Sequence, residues 1–302
     1  MYDFIGDIHG YGLHLEALLL KLGYERINGV YKHPERKVFF LGDYIDRGPE
    51  IELTLKIVRS MVEEGHALAI MGNHEYNALC FETKHEGAYL RPHNPGTINQ
   101  YQATLHQFAR KKDAYQSYLN WFYTLPLFYE DSTFNAVHAC WDSKAINVLK
   151  SALNDNRLSH EKLINSCQKG TDLNDAVEVA LKGKELELPS GHHFFDKDGK
   201  KRHHIRFKWW ENPDGKTYGE AAIPKQAHLN DINVQLDPET LSEVYPAVHK
   251  PVFFGHYWLK GEPMIQKSNV CCLDFSIAKK GYLAAYRFNG EGQLDNQQIV
   301  YV

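Results

Sequence analysis

Five segments of the chain carry side chains of the types that bind metal ions. Residues 6–10 (GDIHG), 42–48 (GDYIDRG) and 72–75 (GNHE) each place Asp or Asn directly after a glycine, while His138 and His256 follow apolar runs. Oxygen and imidazole ligands of this kind suit Mn²⁺, Fe or Zn²⁺, and no cluster of thiolates competes with them. The pattern predicts a metal site built from segments that are far apart in the sequence.

Short apolar strands must position these segments. Residues 2–5, 38–41 and 67–71 are predicted strands that each end at a glycine, and they alternate with helical patterns at 15–22 and 51–64. This rhythm predicts βαβ units and a parallel sheet. Because ligands bind beyond the carboxyl ends of the strands in such sheets, we expect the polar segments to converge there.

The rest of the chain is less regular. We predict helices at 99–122 and 143–153, the second N-capped by Asp142, further helical turns within 159–182, and a strand at 133–138. A hairpin with its turn at 197–200 is predicted within 190–210, followed by loop over 211–250 and by strands at 252–255, 270–275, 282–288 and 297–302. The prediction is a single α/β domain, residues 1–302, with an inserted cap or substrate region at about 142–250.

The composition narrows the class of protein. The 302 residues are 43% hydrophobic and 24% charged, which excludes disordered, collagen-like and disulfide-dense chains. The net charge of −4 provides no overall basic field for nucleic acid. With no apolar run of 18 residues, no signal-peptide pattern and five cysteines without a Cys-x-x-Cys pair, the chain is predicted to be cytoplasmic, with reduced thiols and no membrane partner.

Taken together, the motifs resemble those of a known family. GDIHG, GDYIDRG and GNHE, followed by a strand-terminal His and a late Gly-His, are similar to the signatures of calcineurin-like metallophosphoesterases. Tyr44, Asp46 and Arg47 make the chain resemble the phosphoprotein phosphatase branch, in a bacterial form. The resemblance covers residues 3–75, with islands at 134–141 and 251–258. It implies central β-sheets flanked by helices, with a dinuclear metal site at the carboxyl ends of the strands.

The resemblance also implies ligands for two divalent cations, with manganese favoured and iron or zinc as alternatives. The implied metal ligands are Asp7 and His9 for the first ion, Asp43 as a bridge, and Asn73, His138 and His256 for the second. With a bridging hydroxide, two such ions and two carboxylates leave a net charge of about +1, which attracts a phosphate dianion. Each of these residues, taken alone, also has a purely structural interpretation. Asp beside Gly often accepts hydrogen bonds from backbone N–H groups, and a lone His is often a core residue.

Four residues are implied to act on the substrate or to position a residue that does. His74 would protonate the leaving oxygen, and Asp46 would hold the other nitrogen of the His74 ring. Arg47 would grip the phosphate bidentately, and Asn73 is also predicted to contact it.

A second arginine normally completes such a phosphate clamp. We predict Arg206, because residues 202–209 alternate between apolar and basic side chains, which is typical of a strand with one buried face. Arg202 and Arg91 are alternative candidates.

The predicted function is a metal-dependent phosphomonoesterase that hydrolyses phosphoserine and phosphothreonine in proteins by in-line attack of the bridging hydroxide. The alternatives are a dinucleoside polyphosphate hydrolase or a nucleic-acid-end phosphatase on the same scaffold, and a non-catalytic scaffold that binds phosphorylated partners. In the dinucleoside branch the segment matching Asp46 usually reads Ala-Arg-Gly, so Asp-Arg-Gly favours the phosphoprotein branch. Two departures bear on the substrate: Ala139 replaces the Gly that commonly follows the ligand His, and residues 142–250 carry no motif that we can place in eukaryotic phosphoprotein phosphatases.

Overall fold

A computed structural model describes residues 1–195, 201–212, 215–223, 229–232 and 245–302 of the chain. The predicted turn at 197–200 lies outside these residues. The helices are α1 (Gly12–Lys21), α2 (Ile51–Glu63), α3 (Asn73–Glu82), α4 (Pro95–Phe108), α5 (Lys112–Phe122), α6 (Ser143–Ala152), α7 (His160–Ser166), α8 (Asp172–Lys182) and α9 (Tyr218–Ala221).

The strands are short, and most are three or four residues long. They are β1 (Tyr2–Ile5), β2 (Glu25–Ile27), β3 (Val30–Lys32), β4 (Lys37–Phe40), β5 (Ala67–Ala69), β6 (Lys84–His85), β7 (Ala88–Tyr89), β8 (Phe128–Glu130), β9 (Asn135–Val137), β10 (Glu185–Glu187), β11 (Phe194–Phe195), β12 (Lys201–Arg202), β13 (His204–Arg206), β14 (Val252–Phe254), β15 (Val270–Cys272), β16 (Asp274–Phe275), β17 (Tyr282–Phe288) and β18 (Ile299–Tyr301).

Two sheets form the centre of the fold. A six-stranded sheet has the order β16-β17-β1-β4-β5, with β18 paired to β17, and a four-stranded sheet has the order β15-β14-β9-β8. Strands β1, β4 and β5 are parallel, which confirms the predicted βαβ units, whereas β17 pairs antiparallel with β1. In the second sheet β9, β14 and β15 are parallel. Each strand that precedes one of the five polar segments therefore runs parallel to at least one neighbouring strand.

The two sheets pack face to face through phenylalanine side chains. Phe4 of β1 stacks on Phe253 of β14 with ring centroids 3.7 Å apart, and Phe134 meets Phe4 edge-on at 4.9 Å. Such contacts add to the free energy gained by burying the rings. On β4, Phe39 joins this cluster while Phe40 points to the opposite face, where the leucines of α1 pack. Both faces of β4 are thus covered, as its continuous apolar run predicts.

The predicted helical region 99–122 is confirmed except at 109–111, where the chain divides it into two helices. Helix α4 begins at Pro95, with the Asn94 side chain as its N-cap, and α5 begins at Lys112. Phe108 of α4 stacks on Tyr115 of α5 with centroids 4.8 Å apart. In one continuous helix, residues seven apart would be separated by about 10 Å along the axis, so this ring contact requires the chain to fold back.

The predicted strand at 270–275 is confirmed except at Leu273, where it divides between the two sheets. β15 pairs with β14, and after Leu273 the chain enters β16, which pairs with β17 in the other sheet. The hairpin β2–β3 and helix α3 were not predicted. Helix α3 begins within GNHE, where the Glu75 side chain accepts a hydrogen bond from the Gly72 N–H group in a capping-box arrangement.

The segment 142–250 contains small elements. Helix α6 begins as predicted, because the Asp142 side chain accepts a hydrogen bond of 2.7 Å from the N–H group of Ala145. Helices α7 and α8 lie within 159–182, and β11 pairs antiparallel with β12, as the predicted hairpin requires. In addition, β10 pairs with β13, which places Glu185 opposite Arg206. Among the described helices, none is both long and apolar enough to cross a membrane.

Candidate metal centre

The five polar segments meet beyond the carboxyl ends of β1, β4, β5, β9 and β14. Backbone hydrogen bonds join them directly: the N–H group of His9 donates to the Asp43 carbonyl at 2.8 Å. The site loops also hold left-handed backbone, with φ between 49° and 73° at His9, Asp43, Asp46, Arg47 and His256. Each such conformation costs on the order of 1–3 kcal/mol and is typically found at functional sites.

Two glycines permit the close approach of these loops. Gly42 has φ of +98°, and a Cβ atom there would lie 2.7 Å from the Gly72 Cα and 2.8 Å from Nδ1 of His138. A Cβ atom on Gly255 would overlap the Asp7 carboxylate. Only glycine therefore fits at these two positions without displacing predicted ligands.

The first ligand cluster contains Asp7, His9 and Asp43. All three are buried. Nε2 of His9 lies 3.9 Å from Oδ2 of Asp7 and 3.7 Å from Oδ2 of Asp43. Nδ1 of His9 lies 3.2 Å from the Ile45 carbonyl, which can only accept, so we place the ring proton on Nδ1 and a lone pair on Nε2.

The second ligand cluster contains Asn73, His138, His256 and again Asp43. Oδ1 of Asn73 lies 3.1 Å from Nε2 of His138 and 2.7 Å from Nδ1 of His256. Oδ1 of Asp43 is 3.4 Å from Nε2 of His138. Nδ1 of His138 faces the Leu41 carbonyl at 2.8 Å, which again turns the Nε2 lone pair toward the oxygens. Asp43 thus lies between the two clusters with one carboxylate oxygen toward each.

The donor atoms of both clusters fit divalent cations. Nε2 of His9 and Nε2 of His256 are buried and have no hydrogen-bond partner among the described residues. Burial, and then the charges of Asp274 and Asp43, raise the pKa of Asp7 well above its usual range. Buried lone pairs without partners and buried carboxylates close to one another cost free energy, and a bound cation offsets that cost. Asp7, His9 and Asp43 would hold one ion, and Asp43, Asn73, His138 and His256 the other.

His74 lies beside the clusters, held by Asp46. Nδ1 of His74 is 2.5 Å from Oδ2 of Asp46, and the second oxygen of Asp46 accepts a hydrogen bond from the Thr104 hydroxyl of α4. Burial would lower the pKa of His74, but the carboxylates of Asp43 and Asp46 raise it above its ordinary value. The pair therefore has the geometry of an imidazole that is oriented and made more basic by a carboxylate.

Arg47 lies at the mouth of the site. Its Nη2 is 3.5 Å from Nε2 of His74, and its guanidinium carbon lies 3.8 Å from the centre of the Trp258 ring. A cation at this distance from an aromatic face is attracted to it. Trp258 therefore restrains the guanidinium group next to His74, a role that the sequence did not reveal.

Glu75 organises the loop that carries Asp43. The fully buried carboxylate of Glu75 accepts hydrogen bonds from the N–H groups of Asp43 at 2.9 Å and Tyr44 at 2.8 Å, besides that of Gly72. Burial, and then the charge of Asp43, raise the pKa of Glu75 to about 7. Glu75 is not among the predicted site residues, although its position directly after Asn73 and His74 is a usable signal.

A third acidic residue lies beside the first cluster. Asp274 is buried, and it accepts hydrogen bonds from the N–H groups of Trp258 at 2.7 Å and Ser276 at 2.9 Å. Its charge acts on Asp7. Asp274 is not among the predicted site residues, because it falls inside the strand predicted at 270–275. Its acidic side chain within this apolar run was the signal that could have found it.

The structure brings Arg206 close to the second cluster. Ile205 and Phe207 are buried while Arg206 is partly exposed, which confirms the predicted alternation. Burial, and then the charge of Arg206, lower the pKa of His256 well below its usual value. The guanidinium Nε lies 3.6 Å from Oε1 of Glu185.

The two rival arginines are placed differently. Arg202 is exposed on β12. Arg91 donates hydrogen bonds to Asn77 at 2.5 Å and Gln100 at 2.7 Å, so two of its guanidinium nitrogens are already engaged.

Arg206→Ala is expected to raise the KM for a phosphoester, because a charged hydrogen bond to the phosphate would be lost. A loss of about 1.5–3 kcal/mol corresponds to roughly a 10- to 100-fold change. Steady-state kinetics of the variant, with Arg202→Ala as the matched control, tests this assignment. Unchanged kinetics for Arg206→Ala, together with a raised KM for Arg91→Ala or Arg202→Ala, would transfer the role to that arginine.

Divalent cations are expected to stabilise the folded protein, because they neutralise the buried carboxylates of the two clusters. For one site, Mn²⁺ at 100 times its Kd would add about 2.7 kcal/mol to the free energy of unfolding. Thermal unfolding of metal-stripped protein, with Mn²⁺ or with chelator, measures this. The exposed variant His14→Asn should show the same increase in Tm, and equal Tm values in Mn²⁺ and chelator would contradict the metal site.

The fold and the site define an α/β protein with a candidate metal centre at the ends of its strands. A family model described as calcineurin-like phosphoesterase matches residues 2–257. The chain belongs to this family, and the resemblance inferred from its motifs is confirmed.

Individual relatives match less of the chain. A protein of Oceanobacillus iheyensis, named asymmetrical bis(5'-nucleosyl)-tetraphosphatase PrpE, is 48% identical over 73 residues, which are 24% of this chain and 29% of the relative. The match thus spans under a third of that relative's length. A protein serine/threonine phosphatase from Saccharomyces cerevisiae has a TM-score of 0.50 at 13% identity, with 100% of this chain and 78% of the other covered. A cold-active protein tyrosine phosphatase has a TM-score of 0.51 at 15% identity, with 98% and 79% covered. These two structures share the fold.

Proposed function

We propose that the protein is a two-metal phosphomonoesterase that hydrolyses phosphoserine and phosphothreonine in proteins. The observation that carries the proposal is the pairing of His74 with Asp46 at 2.5 Å, beside the shared ligand Asp43. An alkoxide is a poor leaving group and must be protonated as the P–O bond breaks, so a positioned general acid matters most for serine and threonine esters. Phosphate and nucleotide leaving groups need such an acid much less.

In the proposed mechanism, the residues of the chain bind the phosphate and deliver a proton. Arg47 and Arg206 hold two phosphoryl oxygens, and the Asn73 side chain also contacts the phosphate. When bound, the two divalent cations would lower the pKa of the attacking water and neutralise the charge that develops on the phosphoryl oxygens. The carboxylate of Asp46 accepts a hydrogen bond from the Nδ1–H group of His74. Nε2 of His74 therefore faces the substrate and gives its proton to the leaving oxygen.

A second candidate function is hydrolysis of dinucleoside polyphosphates. Its support is the name of the Oceanobacillus iheyensis relative, which is 48% identical to this chain over 73 residues. Asp46 weighs against it, since the dinucleoside branch usually has Ala at this point of the motif. For both candidates we propose the same ligands, Asp7, His9, Asp43, Asn73, His138 and His256, and assign substrate selection to residues 142–250 of the single domain.

A substrate panel separates the two candidates. Metal-stripped protein reloaded with Mn²⁺ is given phosphoserine, phosphothreonine and phosphotyrosine peptides, diadenosine tetraphosphate and a 3'-phosphorylated oligonucleotide. Phosphate release is measured, and nucleotide products are separated by chromatography. A higher kcat/KM for the phosphoserine and phosphothreonine peptides supports the first candidate, whereas preference for diadenosine tetraphosphate or the oligonucleotide rejects it. In the same assays, His74→Asn should lose more activity on the phosphoserine and phosphothreonine peptides than on the phosphotyrosine peptide.

A further inference from the structure

Two cysteines lie side by side between α3 and the end of α7. The Sγ atoms of Cys80 and Cys167 are 3.5 Å apart. Cys80 is buried in the last turn of α3, while Cys167 directly follows α7 and is partly exposed. The hydroxyl oxygen of Tyr76 is 3.4 Å from Sγ of Cys167. The two thiols are therefore in contact, and one of them is accessible from solvent.

We propose that Cys80 and Cys167 form a peroxide-reactive thiol pair that closes to a reversible disulfide between α3 and α7. Cys167 is the residue that reacts with the peroxide, and Cys80 resolves the product.

The groups around the two thiols shift their pKa values in opposite directions, which assigns the two roles. Hydrogen bonds from the Cys80 thiol and the Tyr76 hydroxyl, together with the charge of Lys182, lower the pKa of the Cys167 thiol to about 6. The hydrogen bond to Cys167, together with burial, raises the pKa of Cys80 well above its ordinary value. Because the thiolate is the nucleophile, a partly exposed Cys167 has the character of a reactive cysteine.

The reaction balances with a peroxide as the only oxidant. The Cys167 thiolate attacks one oxygen of hydrogen peroxide, so that an S–O bond forms, the O–O bond breaks and the released hydroxide takes up a proton to become water. The sulfur is oxidised by two electrons and the peroxide is reduced. Sγ of Cys80 then attacks Sγ of Cys167, an S–S bond replaces the S–O bond, and the departing hydroxide leaves as water with the Cys80 proton.

Little movement is needed to close the bond, since the sulfur atoms must approach from 3.5 Å to about 2.05 Å. The bond would have a defined structural consequence. Helix α3 begins with Asn73 and His74, whereas α7 belongs to the segment 142–250. The disulfide therefore joins the helix that carries two site residues to the segment proposed to select substrates. The pair lies outside both ligand clusters, so the inference does not depend on the proposed substrate.

The test is peptide mapping of the full chain after oxidation. Metal-stripped protein is treated with hydrogen peroxide, free thiols are alkylated, and the protein is digested with trypsin. Cys80 and Cys167 lie in the separate tryptic peptides 60–84 and 163–169. The expected result is one cross-linked peptide pair that has lost two hydrogen atoms and separates on reduction. Cys140, Cys271 and Cys272 are buried with raised pKa values, so they serve as internal controls and should stay reduced.

Two variants assign the roles. Cys80→Ser should leave a sulfenic acid on Cys167 that dimedone traps, and Cys167→Ser should remove the reaction with peroxide. If either variant fails to fold, the wild-type time course decides, because a sulfenic acid on Cys167 must appear before the cross-link. The proposal is overturned if the cross-linked pair does not form, if Cys167 proceeds to sulfinic acid while Cys80 stays free, or if Cys80 reacts first.

Discussion

Asp43→Asn is expected to reduce phosphoester hydrolysis at least about a thousandfold and to weaken the binding of both metal ions. Asp43 directs Oδ2 toward His9 at 3.7 Å and Oδ1 toward His138 at 3.4 Å, so both clusters depend on it. Asparagine keeps the shape but removes the negative charge that two cations would share. A loss of several kcal/mol of electrostatic stabilisation corresponds to this factor in rate.

Turnover of an aryl phosphate, together with the number of metal ions retained per chain, measures the effect of Asp43→Asn. Asp113→Asn is the matched control, because Asp113 is exposed on α5 and belongs to neither cluster. The control should keep normal turnover and metal content. Near-normal turnover of Asp43→Asn would remove the shared-ligand assignment.

His74→Asn is expected to lower turnover in a manner that depends on the leaving group. For a phosphoserine peptide we expect a loss of roughly 10²–10⁴-fold, the usual contribution of a general acid. For an aryl phosphate, whose leaving group needs little protonation, the loss should be about tenfold or less. The difference arises because Asp46 positions His74 for proton donation, whereas the metal ligands remain unchanged.

The ratio of the two losses is the measurement for His74→Asn. His14→Asn, an exposed histidine replaced in the same way on α1, is the control and should change neither substrate. Equal losses on the phosphoserine peptide and on the aryl phosphate would argue against proton donation by His74. They would instead indicate a role in binding phosphate or in supporting Asp43.

The strand ends were predictable because strong local signals mark them. Apolar runs such as 38–41 are buried on both faces, and the glycine that follows each run must accept a close approach or a left-handed backbone. Gly42 shows why, since any side chain there would strike His138. Residues with these requirements are restricted in type, so the motifs of the site could be read from the sequence.

The residues that support the site were not predictable in the same way. Thr104 bonds to Asp46 from the middle of α4, and Trp258 holds Arg47 through its ring. Both contacts join segments that only tertiary packing brings together. Asp274 was missed for another reason, because the transfer of the chain from one sheet to the other at Leu273 has no local signature.

The segment proposed to select the substrate is the part of the chain where sequence patterns are weakest. Within 142–250, strands such as β11 and β12 are two residues long, and their positions follow from packing more than from propensity. Arg206 was predictable because its strand alternates, with Ile205 and Phe207 buried. Within 142–250, no comparable sequence pattern distinguishes a phosphopeptide from a nucleotide as the substrate.

Titration of the metal-stripped protein with Mn²⁺ tests the two-metal site most directly. Bound metal per chain and hydrolysis of an aryl phosphate are measured at each addition, with Asp43→Asn in parallel. We predict no hydrolysis in chelator and full activity when two ions are bound per chain. Asp43→Asn should bind little metal and hydrolyse little of the aryl phosphate. Full activity in chelator, or with fewer than two ions bound per chain, would contradict a phosphoesterase that works through this pair of clusters.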